Sequence, residues 1–321
     1  MEEKKSKKKK ILIIVLSILG VFILGGGAFA YSVYHNINQT AKKIHQPVVK
    51  REQPVKREKE VTLKERDPFS VLLLGVDKRK NDKGRSDTII VLTVNPNKKS
   101  VEMLSIPRDT RTEIVGKGTI DKINHAYAFG DVEMSMDTVE KFLGIPIDYY
   151  VMVNMQGFKD VVNAVGGVDV KNDLEFTAGK ETFAVGDLHL NGSQALKYSR
   201  MRHDDPRGDF GRQMRQRQII DSILEKGASI SSLWTYDDIL DAVSKNLKTN
   251  LTLDDMVDIQ SKYKDLRHNI KQFQINGDGK MIDGVWYYLV PEEERKAVSN
   301  RLKEHLELPA TTESVKTETP Q

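Results

Sequence analysis

Three apolar runs decide the fold of this chain: FSVLLLGV at residues 69–76, DTIIVLTV at 87–94 and SVEMLSI at 100–106. A short run that is apolar at nearly every position is typical of a strand buried on both faces of a sheet. The turn sequence Asn95-Pro96-Asn97 separates the second run from the third, so we expect these two strands to form a hairpin.

Helical patterns and further strands alternate along the rest of the chain. Helices are predicted at 132–143, 155–165, 192–198, 208–226, near 237–244, at 253–263 and at 291–306, and strands at 149–154 and 270–275. This alternation predicts an α/β fold, a three-layer α/β/α sandwich with a mixed central sheet. A single domain, with room for a small insertion, is the simplest organisation.

The N-terminus places six lysines within residues 1–10, followed by an apolar run at 11–34. A run of this length can cross a hydrocarbon layer of about 30 Å, and lysines in front of it keep the preceding residues in the cytoplasm. We therefore expect a transmembrane signal-anchor helix at 11–34 in a single-pass type II membrane protein, with a cytoplasmic basic tail at 1–10. A cleaved signal peptide is the alternative, because Ala28-Phe29-Ala30 resembles a cleavage site, but the apolar run is longer than usual for one.

Composition divides the exported part into a stalk, a domain and a tail. Residues 35–67 contain Pro47, Pro54 and many charges without apolar periodicity, which predicts an extracellular stalk. Residues 309–321 are polar and predict a disordered tail. The folded domain is therefore expected at 68–308, outside the cell.

Charge is distributed unevenly between these segments. Residues 1–10 carry +4 and residues 36–66 carry +5, whereas the whole chain carries +4, so residues 67–321 have a net charge of −5. An acidic domain argues against nucleic acid as a partner, and the basic flanks suit anionic lipid headgroups. The chain has no cysteine, which excludes disulfides and cysteine-ligated metals.

The densest chemical signal is RMRHDDPRGDFGRQMRQRQ at residues 200–218, with six arginines and no lysine. Guanidinium is planar and forked, so it binds phosphate oxygens two at a time, whereas an ammonium is a point charge. Three aspartates leave three of these arginines without an acidic partner in the stretch. We therefore favour a phosphate or pyrophosphate ligand over the alternative, a solvated helix face with ion pairs.

Within this stretch, Asp209, Arg212 and Gln216 fall on one stripe of the predicted helix 208–226, with Arg215 beside it. Arg200 and Arg202 precede the helix on a segment predicted to be extended. Because they are two residues apart, we expect their side chains to face the same way.

Charged residues also mark the ends of the buried strands. Asp77 ends the first strand, Asp87 opens the second just after Arg85, and Arg108 follows the third. Open α/β sheets bind ligands at the carboxyl ends of strands. If the first two strands are antiparallel neighbours, the two aspartates converge, which suits Mg²⁺ beside phosphates. Turn solvation and strand capping would explain the aspartates equally well, and a weak surface salt bridge would explain Arg108.

The segment KINHAY supplies three more polar residues after the third strand. Lys122 and Asn124 could contact phosphate or sugar. His125 is expected to be a structural histidine rather than a base, because no carboxylate partner is placed locally.

Taken together, these motifs resemble the LytR-CpsA-Psr family of cell-wall glycopolymer transferases, and most of all its teichoic acid transferases. The pieces that carry the resemblance are the short basic tail with one span, LLLGVDKR, GRSDT, SIPRDT, KINHAYAFG and the arginine stretch, over residues 68–306. The resemblance implies a three-layer α/β/α fold. It also implies transfer of a phospho-glycopolymer from a polyprenyl pyrophosphate carrier to the 6-hydroxyl group of N-acetylmuramic acid in peptidoglycan.

The resemblance further implies the roles of individual residues. Mg²⁺ (or Mn²⁺) would be held by Asp77 and Asp87, and the pyrophosphate would be bound by the remaining matching positions, which are Arg85, Arg108, Arg200, Arg202, Arg212, Arg215 and Gln216. Asp77 and Arg108 are the expected catalytic residues, with Asp77 as a candidate general base. The prenyl chain would lie in an apolar tunnel whose lining the sequence does not identify.

Two other functions remain as alternatives to the enzyme. A membrane-anchored, non-catalytic receptor for anionic wall polymer or lipid pyrophosphate would tolerate the loss of Asp77. A regulator of transcription is opposed by the predicted topology and by the net charge of −5.

Overall fold

The computed structural model describes residues 31–49, 51–55, 57–77, 84–227 and 244–309. Its strands in chain order are β1 (Phe69–Asp77), β2 (Arg85–Asn95), β3 (Ser100–Ser105), β4 (Arg111–Ile114), β5 (Thr119–Lys122), β6 (Tyr149–Asn154), β7 (Val168–Asn172), β8 (Phe176–Ala178), β9 (Glu181–Phe183), β10 (Gly186–Leu190), β11 (Leu247–Thr249), β12 (Ile270–Gln274), β13 (Asp278–Ile282) and β14 (Val285–Leu289). The helices are α1 (residues 31–44), α2 (His125–Leu143), α3 (Met155–Ala164), α4 (Gly192–Arg200), α5 (Asp209–Gly227), α6 (Leu253–Lys262) and α7 (Glu292–His305). Short 3-10 turns lie at Leu63–Glu65 and Lys264–His268.

Six strands form the central mixed sheet in the order β11-β6-β1-β2-β3-β12. The three apolar runs of the sequence are its middle strands β1, β2 and β3, and β2 runs antiparallel to both of its neighbours. β6 is parallel to β1, and β12 is parallel to β3. The predicted hairpin and the antiparallel pairing of the first two strands are therefore confirmed.

Helices cover both faces of this sheet, as expected for three layers. Leu72 and Leu74 of β1 point to one face, where they pack with residues of α2 and α7 such as Met136 and Leu302. Alternate residues such as Ile90 point to the opposite face, which is covered by α5, α6 and the turn at Lys264–His268. The period of two along each strand thus feeds two separate apolar cores.

A third apolar cluster lies beside the sheet, between α3, α4, α5 and the small strands β7 to β10. Its centre is a group of aromatic rings in which Phe176 stacks on Phe183 at 4.9 Å between centroids, with Tyr198 against both. The sequence predicted none of these short strands, nor the hairpins β4–β5 and β13–β14. Runs of three to five residues are too short for periodicity to identify.

The stretch at 35–67 differs from the expected stalk, because its described residues pack on the domain. Arg51 forms ion pairs of 2.8 Å with Asp137 and 2.6 Å with Glu140 on α2, while Leu63 is buried. Arg57 binds both carboxylate oxygens of Asp148, at 2.6 and 2.8 Å. Many charges in a row suggested solvation, but these arginines have buried acidic partners about 90 residues away, which local composition does not show.

Among the described residues, no helix is both long enough and apolar enough to cross a membrane. The predicted span at 11–34 falls outside the described residues up to residue 30, as do the predicted cytoplasmic tail and residues 310–321. The helix predicted near 237–244 also lies outside them, apart from residue 244. These assignments stay predictions.

Candidate functional site

The carboxyl ends of β1 and β3 and the start of β2 meet at one end of the sheet. Asp77 lies directly opposite Arg85 in the β1–β2 register. Next to this pair the register shifts: Gly75 pairs with Thr88, and Val76 pairs with Ser86. Asp87 is therefore the extra residue of a β-bulge, a device that re-aims a side chain out of the regular pleat.

Gly75 makes this bulge possible. A Cβ atom at that position would lie 2.9 Å from the Cβ atom of Thr88, closer than real side chains approach. The glycine of LLLGVDKR is thus explained by the close approach of β2, which sets the direction of the Asp87 carboxylate.

Arg108, in the loop after β3, receives that carboxylate. Its Nη1 atom lies 2.9 Å from Oδ1 of Asp87, and its Nε atom lies 3.6 Å from Oδ2 of Asp109. Lys122 completes the chain with its Nζ atom 2.8 Å from Oδ1 of Asp109. Burial lowers the pKa of Arg108, but the carboxylates of Asp87, Asp109 and Asp209 outweigh it and raise that pKa overall.

Arg212 reaches the same place from α5. It is mostly buried; its Nη2 atom lies 2.6 Å from Oδ1 of Asp209 and 3.5 Å from the backbone oxygen of Asp87. Burial lowers the pKa of Arg212, and the positive charges of Arg108 and Arg202 lower it further, although the two aspartates act in the opposite direction. The guanidinium groups of Arg108, Arg202 and Arg212 therefore lie close enough to repel one another.

Arg108 and Arg212 each have a buried hydrogen-bond donor that no acceptor of the described residues satisfies. Within the described ranges, the Nε atoms of Arg108 and Arg212 are buried without a hydrogen-bond partner. An unsatisfied buried N–H group costs free energy and asks for an explanation. An anion bound between the two side chains would supply the missing acceptors.

The remaining predicted arginines lie around this centre with different exposures. Arg85 and Arg202 are exposed, the latter close enough for its charge to act on Arg212. Arg200 is the last residue of α4 and donates to the sulfur of Met155 at 3.1 Å. The expectation that Arg200 and Arg202 share one extended segment is wrong, because the helix continues through Arg200. Gln216 is half-buried, one turn beyond Arg212 on α5.

Arg215 requires a correction, because it is a core residue. Its side chain is fully buried, with Nη1 2.7 Å from Oδ2 of Asp205 and Nη2 2.7 Å from the backbone oxygen of Met201. The guanidinium lies 5.5 Å from the ring centroid of Phe176 and 5.9 Å from that of Tyr198. It points into the third apolar cluster, so a role in binding the ligand is replaced by a structural one.

Two more arginines of the stretch have partners away from the candidate site, one acidic and one a hydroxyl. Arg207 pairs with Asp205 and also with Asp173, which lies outside the arginine stretch. Arg217 donates to the hydroxyl of Ser105 at 2.9 Å. Only part of the stretch therefore faces the candidate site, and the count of arginines overestimated it.

Sequence reasoning also misjudged the KINHAY segment. Nδ1 of His125 lies 2.8 Å from Oδ2 of Asp121, four residues earlier, so the expectation of no local carboxylate partner is wrong. Asn124 is tied to the site through its backbone N–H, which donates to the backbone oxygen of Arg108 at 3.3 Å. Asp121 lies on β5 and His125 begins α2, so the two side chains meet across the turn between a strand and a helix start that the sequence did not predict.

The aspartates fit a divalent cation only in the company of phosphate. Asp77 and Asp87 both lie at this end of the sheet, and Asp87 is partly exposed with one oxygen on Arg108. No group of three or more histidine or acidic side chains in the described part of the chain could hold a metal by itself. Mg²⁺ usually takes one or two carboxylates plus phosphate oxygens and water, which is the donor set this site could offer.

Two cavities flank the domain at different places. One of about 400 Å³ lies beside Arg200, lined also by Gly179, Leu196 and Met201. A larger one of about 450 Å³ lies at the opposite end of the sheet, next to Pro68 and Pro146. That cavity is lined by neither Arg108 nor Arg212, so we place the candidate site at the carboxyl ends of β1 and β3 instead.

Known proteins are similar to this chain in both sequence and fold. A protein of Bacillus cereus named polyisoprenyl-teichoic acid–peptidoglycan teichoic acid transferase TagU is 56% identical over 295 residues, covering 92% of this chain and 97% of its own. The crystal structure of Bacillus subtilis TagU has a TM-score of 0.62 at 48% identity, covering 77% of this chain and all of that one. A structure described as TagT bound to LIIa-WTA has a TM-score of 0.70 at 34% identity, covering 81% and 100%.

The LytR_cpsA_psr family matches residues 31–304, which include every strand of the central sheet and every residue of the candidate site. The bulged aspartate, the arginines of α5 and the loop after β3 all lie inside this match. The chain belongs to the LytR_cpsA_psr family.

Proposed function

We infer that this protein is a phosphotransferase that attaches an anionic glycopolymer, wall teichoic acid, to peptidoglycan from a polyprenyl pyrophosphate carrier. The names of the similar proteins support this substrate pair. The observation that carries the inference is the convergence of Arg108 and Arg212 on Asp87 at one end of the sheet: Nη1 of Arg108 lies 2.9 Å from its carboxylate, and Nη2 of Arg212 lies 3.5 Å from its backbone oxygen.

The diphosphate of the carrier fits this pair by charge and by geometry. Forked guanidinium groups bind phosphate oxygens two at a time. Phosphoryl transfer depends mainly on positioning and on stabilising charge at the phosphate oxygens, so a preorganised arginine pair suits the reaction without a covalent enzyme intermediate. Arg85, opposite Asp77 in the strand pairing, and Arg202, whose charge acts on Arg212, extend the same surface. We assign Arg200 and Gln216 to it as further ligands of the diphosphate.

The proposed reaction forms one bond and breaks one. The acceptor hydroxyl oxygen attacks the phosphorus on the polymer side of the diphosphate, and the bond from that phosphorus to the bridging oxygen breaks. Prenyl phosphate leaves with the electron pair, and the polymer ends in a phosphodiester bond. Asp77, at the end of β1, is our candidate to take the hydroxyl proton.

A divalent cation, Mg²⁺ or Mn²⁺, would be held by Asp77 and Asp87 together with phosphate oxygens. Such a cation supplies neutralisation of the developing negative charge. Asp87 would then have to exchange part of its contact with Arg108, and the partial exposure of both side chains permits this. Asp77 cannot be a tight metal ligand and a free base at once, so these two roles are alternatives for that residue.

We place the protein at the cell membrane, as a single-pass type II protein with its catalytic domain outside the cell. The lysines and apolar run of residues 1–34 support this, as does the prenyl carrier, which is itself a membrane lipid. The net charge of −5 on residues 67–321 supports a partner other than nucleic acid.

The test is transfer of polymer from a defined prenyl-diphosphate donor by the full chain and two variants. Arg108→Ala should abolish transfer while the thermal unfolding midpoint stays near that of the parent. Arg295→Ala is the control, because this arginine pairs with Glu292 on the surface of α7. Normal transfer by Arg108→Ala would contradict the proposal. If the parent protein never transfers polymer, and Asp77→Asn binds the donor as tightly as the parent does, the receptor function would be favoured instead.

A further inference from the structure

The β13–β14 hairpin carries a partly exposed indole ring, that of Trp286, which packs over a glycine of the neighbouring strand. Trp286 retains 44% of its exposed surface. A Cβ atom at Gly279, on the neighbouring strand, would lie 2.6 Å from Cζ2 of the indole and 3.0 Å from Cε2 and Nε1. Three ring atoms thus lie over the glycine backbone, so one face of the ring is supported and the exposed part remains available.

Two contacts tie this hairpin to the candidate site. The backbone N–H of Tyr288 donates to the backbone oxygen of Asp109 at 2.9 Å, next to Arg108. The ring of Tyr288 meets that of Phe210 edge to face at 5.8 Å, and Phe210 directly follows Asp209, the partner of Arg212. Trp286 lies on the same face of β14 as Tyr288, roughly 7 Å further along the strand. The indole therefore lies on the hairpin face whose next residue inward, Tyr288, contacts α5 beside Asp209.

The proposed reaction leaves a binding problem that this surface could solve. The carrier brings a diphosphate, for which the arginines provide charged contacts. The acceptor brings a sugar hydroxyl, which offers no comparable charge. Sugar rings have apolar C–H faces, and a rigid aromatic ring provides a large apolar contact area at little cost in conformational entropy.

We propose that Trp286 is a stacking platform for a sugar ring of the acceptor glycan strand. This inference rests on the proposed function and names the part of the protein that holds the second substrate. It assigns Gly279 a positioning role, because only a residue without a side chain leaves room for the indole to lie on the strand.

Charge argues for a glycan over a lipid surface as the occupant. Between Asp278 and Leu289 the hairpin carries two aspartates and one lysine, and Asp283 lies at its turn. Membrane surfaces are negative and attract basic segments. A hairpin with a net charge of −1 and an acidic tip is poorly suited to insert there, whereas an uncharged sugar face is indifferent to this charge.

The test measures binding of soluble, uncross-linked peptidoglycan glycan strands to the full chain in detergent micelles, without any donor. Trp286→Ala should weaken binding about tenfold, and in transfer assays it should raise KM for the strand about tenfold with kcat nearly unchanged. Trp286→Phe keeps a smaller ring and should lose about threefold or less.

Gly279→Ala and Val285→Ala form a matched pair on the same hairpin. The backbone φ of Gly279 is not in the left-handed region, so alanine is tolerated there, but its methyl group would displace the indole and should weaken binding in the same direction as Trp286→Ala. Val285 is 41% exposed on the opposite face, and its replacement should leave binding unchanged.

Three results would overturn the inference. Two of them are a parental affinity for the glycan strand in Trp286→Ala or in Gly279→Ala. The third is that Trp286→Ala loses binding to vesicles containing phosphatidylglycerol and keeps its binding to the glycan strand. Failure of the proposed function would look different. Glycan binding without donor does not require the arginine cluster, so Arg212→Ala should bind the strand normally even though its transfer is much slower. A parent that binds the strand but never transfers would refute the reaction and leave the platform in place.

Discussion

Arg212 and Arg215 lie three residues apart on α5, each paired with an aspartate, yet they belong to different parts of the molecule. Three residues advance a helix by about 300°, so the two side chains leave the axis only about 60° apart. Arg212 meets Asp209 near the charges of Arg108 and Arg202, whereas Arg215 meets Asp205 between the rings of Phe176 and Tyr198 and is fully buried. One residue type thus packs in the core at one position and lines the proposed binding site at another, within a single turn of helix.

The largest expected effect is on the buried member of the pair. Arg215→Ala leaves the Asp205 carboxylate in the interior with Arg207 as its remaining partner, so we expect the free energy of unfolding to fall by about 3–5 kcal/mol. Urea unfolding followed by circular dichroism measures this. A midpoint equal to that of the parent would show that the two arginines do not differ as described.

Arg212→Ala should have the reverse signature. We expect kcat to fall by about 10²–10³, the usual cost of removing one preorganised donor to a transition-state charge, while stability changes little. Arg212→Lys keeps the charge but loses the fork, so it should recover only part of the activity. Full activity in the lysine variant would show that charge alone matters at this position.

The free energy of unfolding at acid pH tests the buried pair of Arg215 and Asp205. Burial of Asp205 raises the pKa of the carboxyl, but hydrogen bonds from Arg207 and Arg215 outweigh this and lower the pKa from 3.8 to about 2. The unfolded state therefore binds the proton first, and the pair contributes about 2 kcal/mol above pH 4 that is lost as the pH falls towards 2. Unfolding free energies at pH 5 and pH 2.5 should differ less in Asp205→Asn than in the parent.

The smallest effect is expected for Arg295→Ala. Arg295 and Glu292 have the same i, i+3 spacing as Arg212 and Asp209, but Glu292 is exposed, and the further contact of Arg295 is a single hydrogen bond of 3.2 Å to the backbone oxygen of Phe142. Exposed pairs of this kind contribute less than about 1 kcal/mol, and no arginine cluster depends on this one. Parental activity with a nearly unchanged unfolding midpoint is the expected result; a large loss of activity would show that spacing rather than location decides the role.

Local sequence could predict the parts of the fold that depend on neighbours in the chain. The buried runs became β1, β2 and β3, and the turn Asn95-Pro96-Asn97 joined the last two as expected. The convergence of Asp77 and Asp87 at one end of the sheet followed from the same strands. What local sequence could not show is the bulge at Asp87, because it depends on how β1 approaches β2 at Gly75.

The orientation of α5 was hidden for a related reason. The residues that draw Arg215 inward are Phe176 and Tyr198, which precede it by 39 and 17 residues and come from β8 and α4. Periodicity identified the helix and one of its stripes, but the rotation of the helix against its neighbours is set by such distant contacts. Aromatic residues near an arginine-rich helix are the signal that could have raised the question.

The docking of residues 45–67 has a consequence for how far the domain can reach. The backbone N–H of Gln46 donates to the backbone oxygen of Thr249 at 2.7 Å, the hydroxyl of Tyr150 donates to the backbone oxygen of Gln46, and Arg57 grips Asp148. If residues 11–34 are the membrane anchor that we propose, only a short segment of chain connects the bilayer to residues that are docked on the domain. The catalytic end would then work at a nearly constant height, and only wall strands that pass through that layer could be modified.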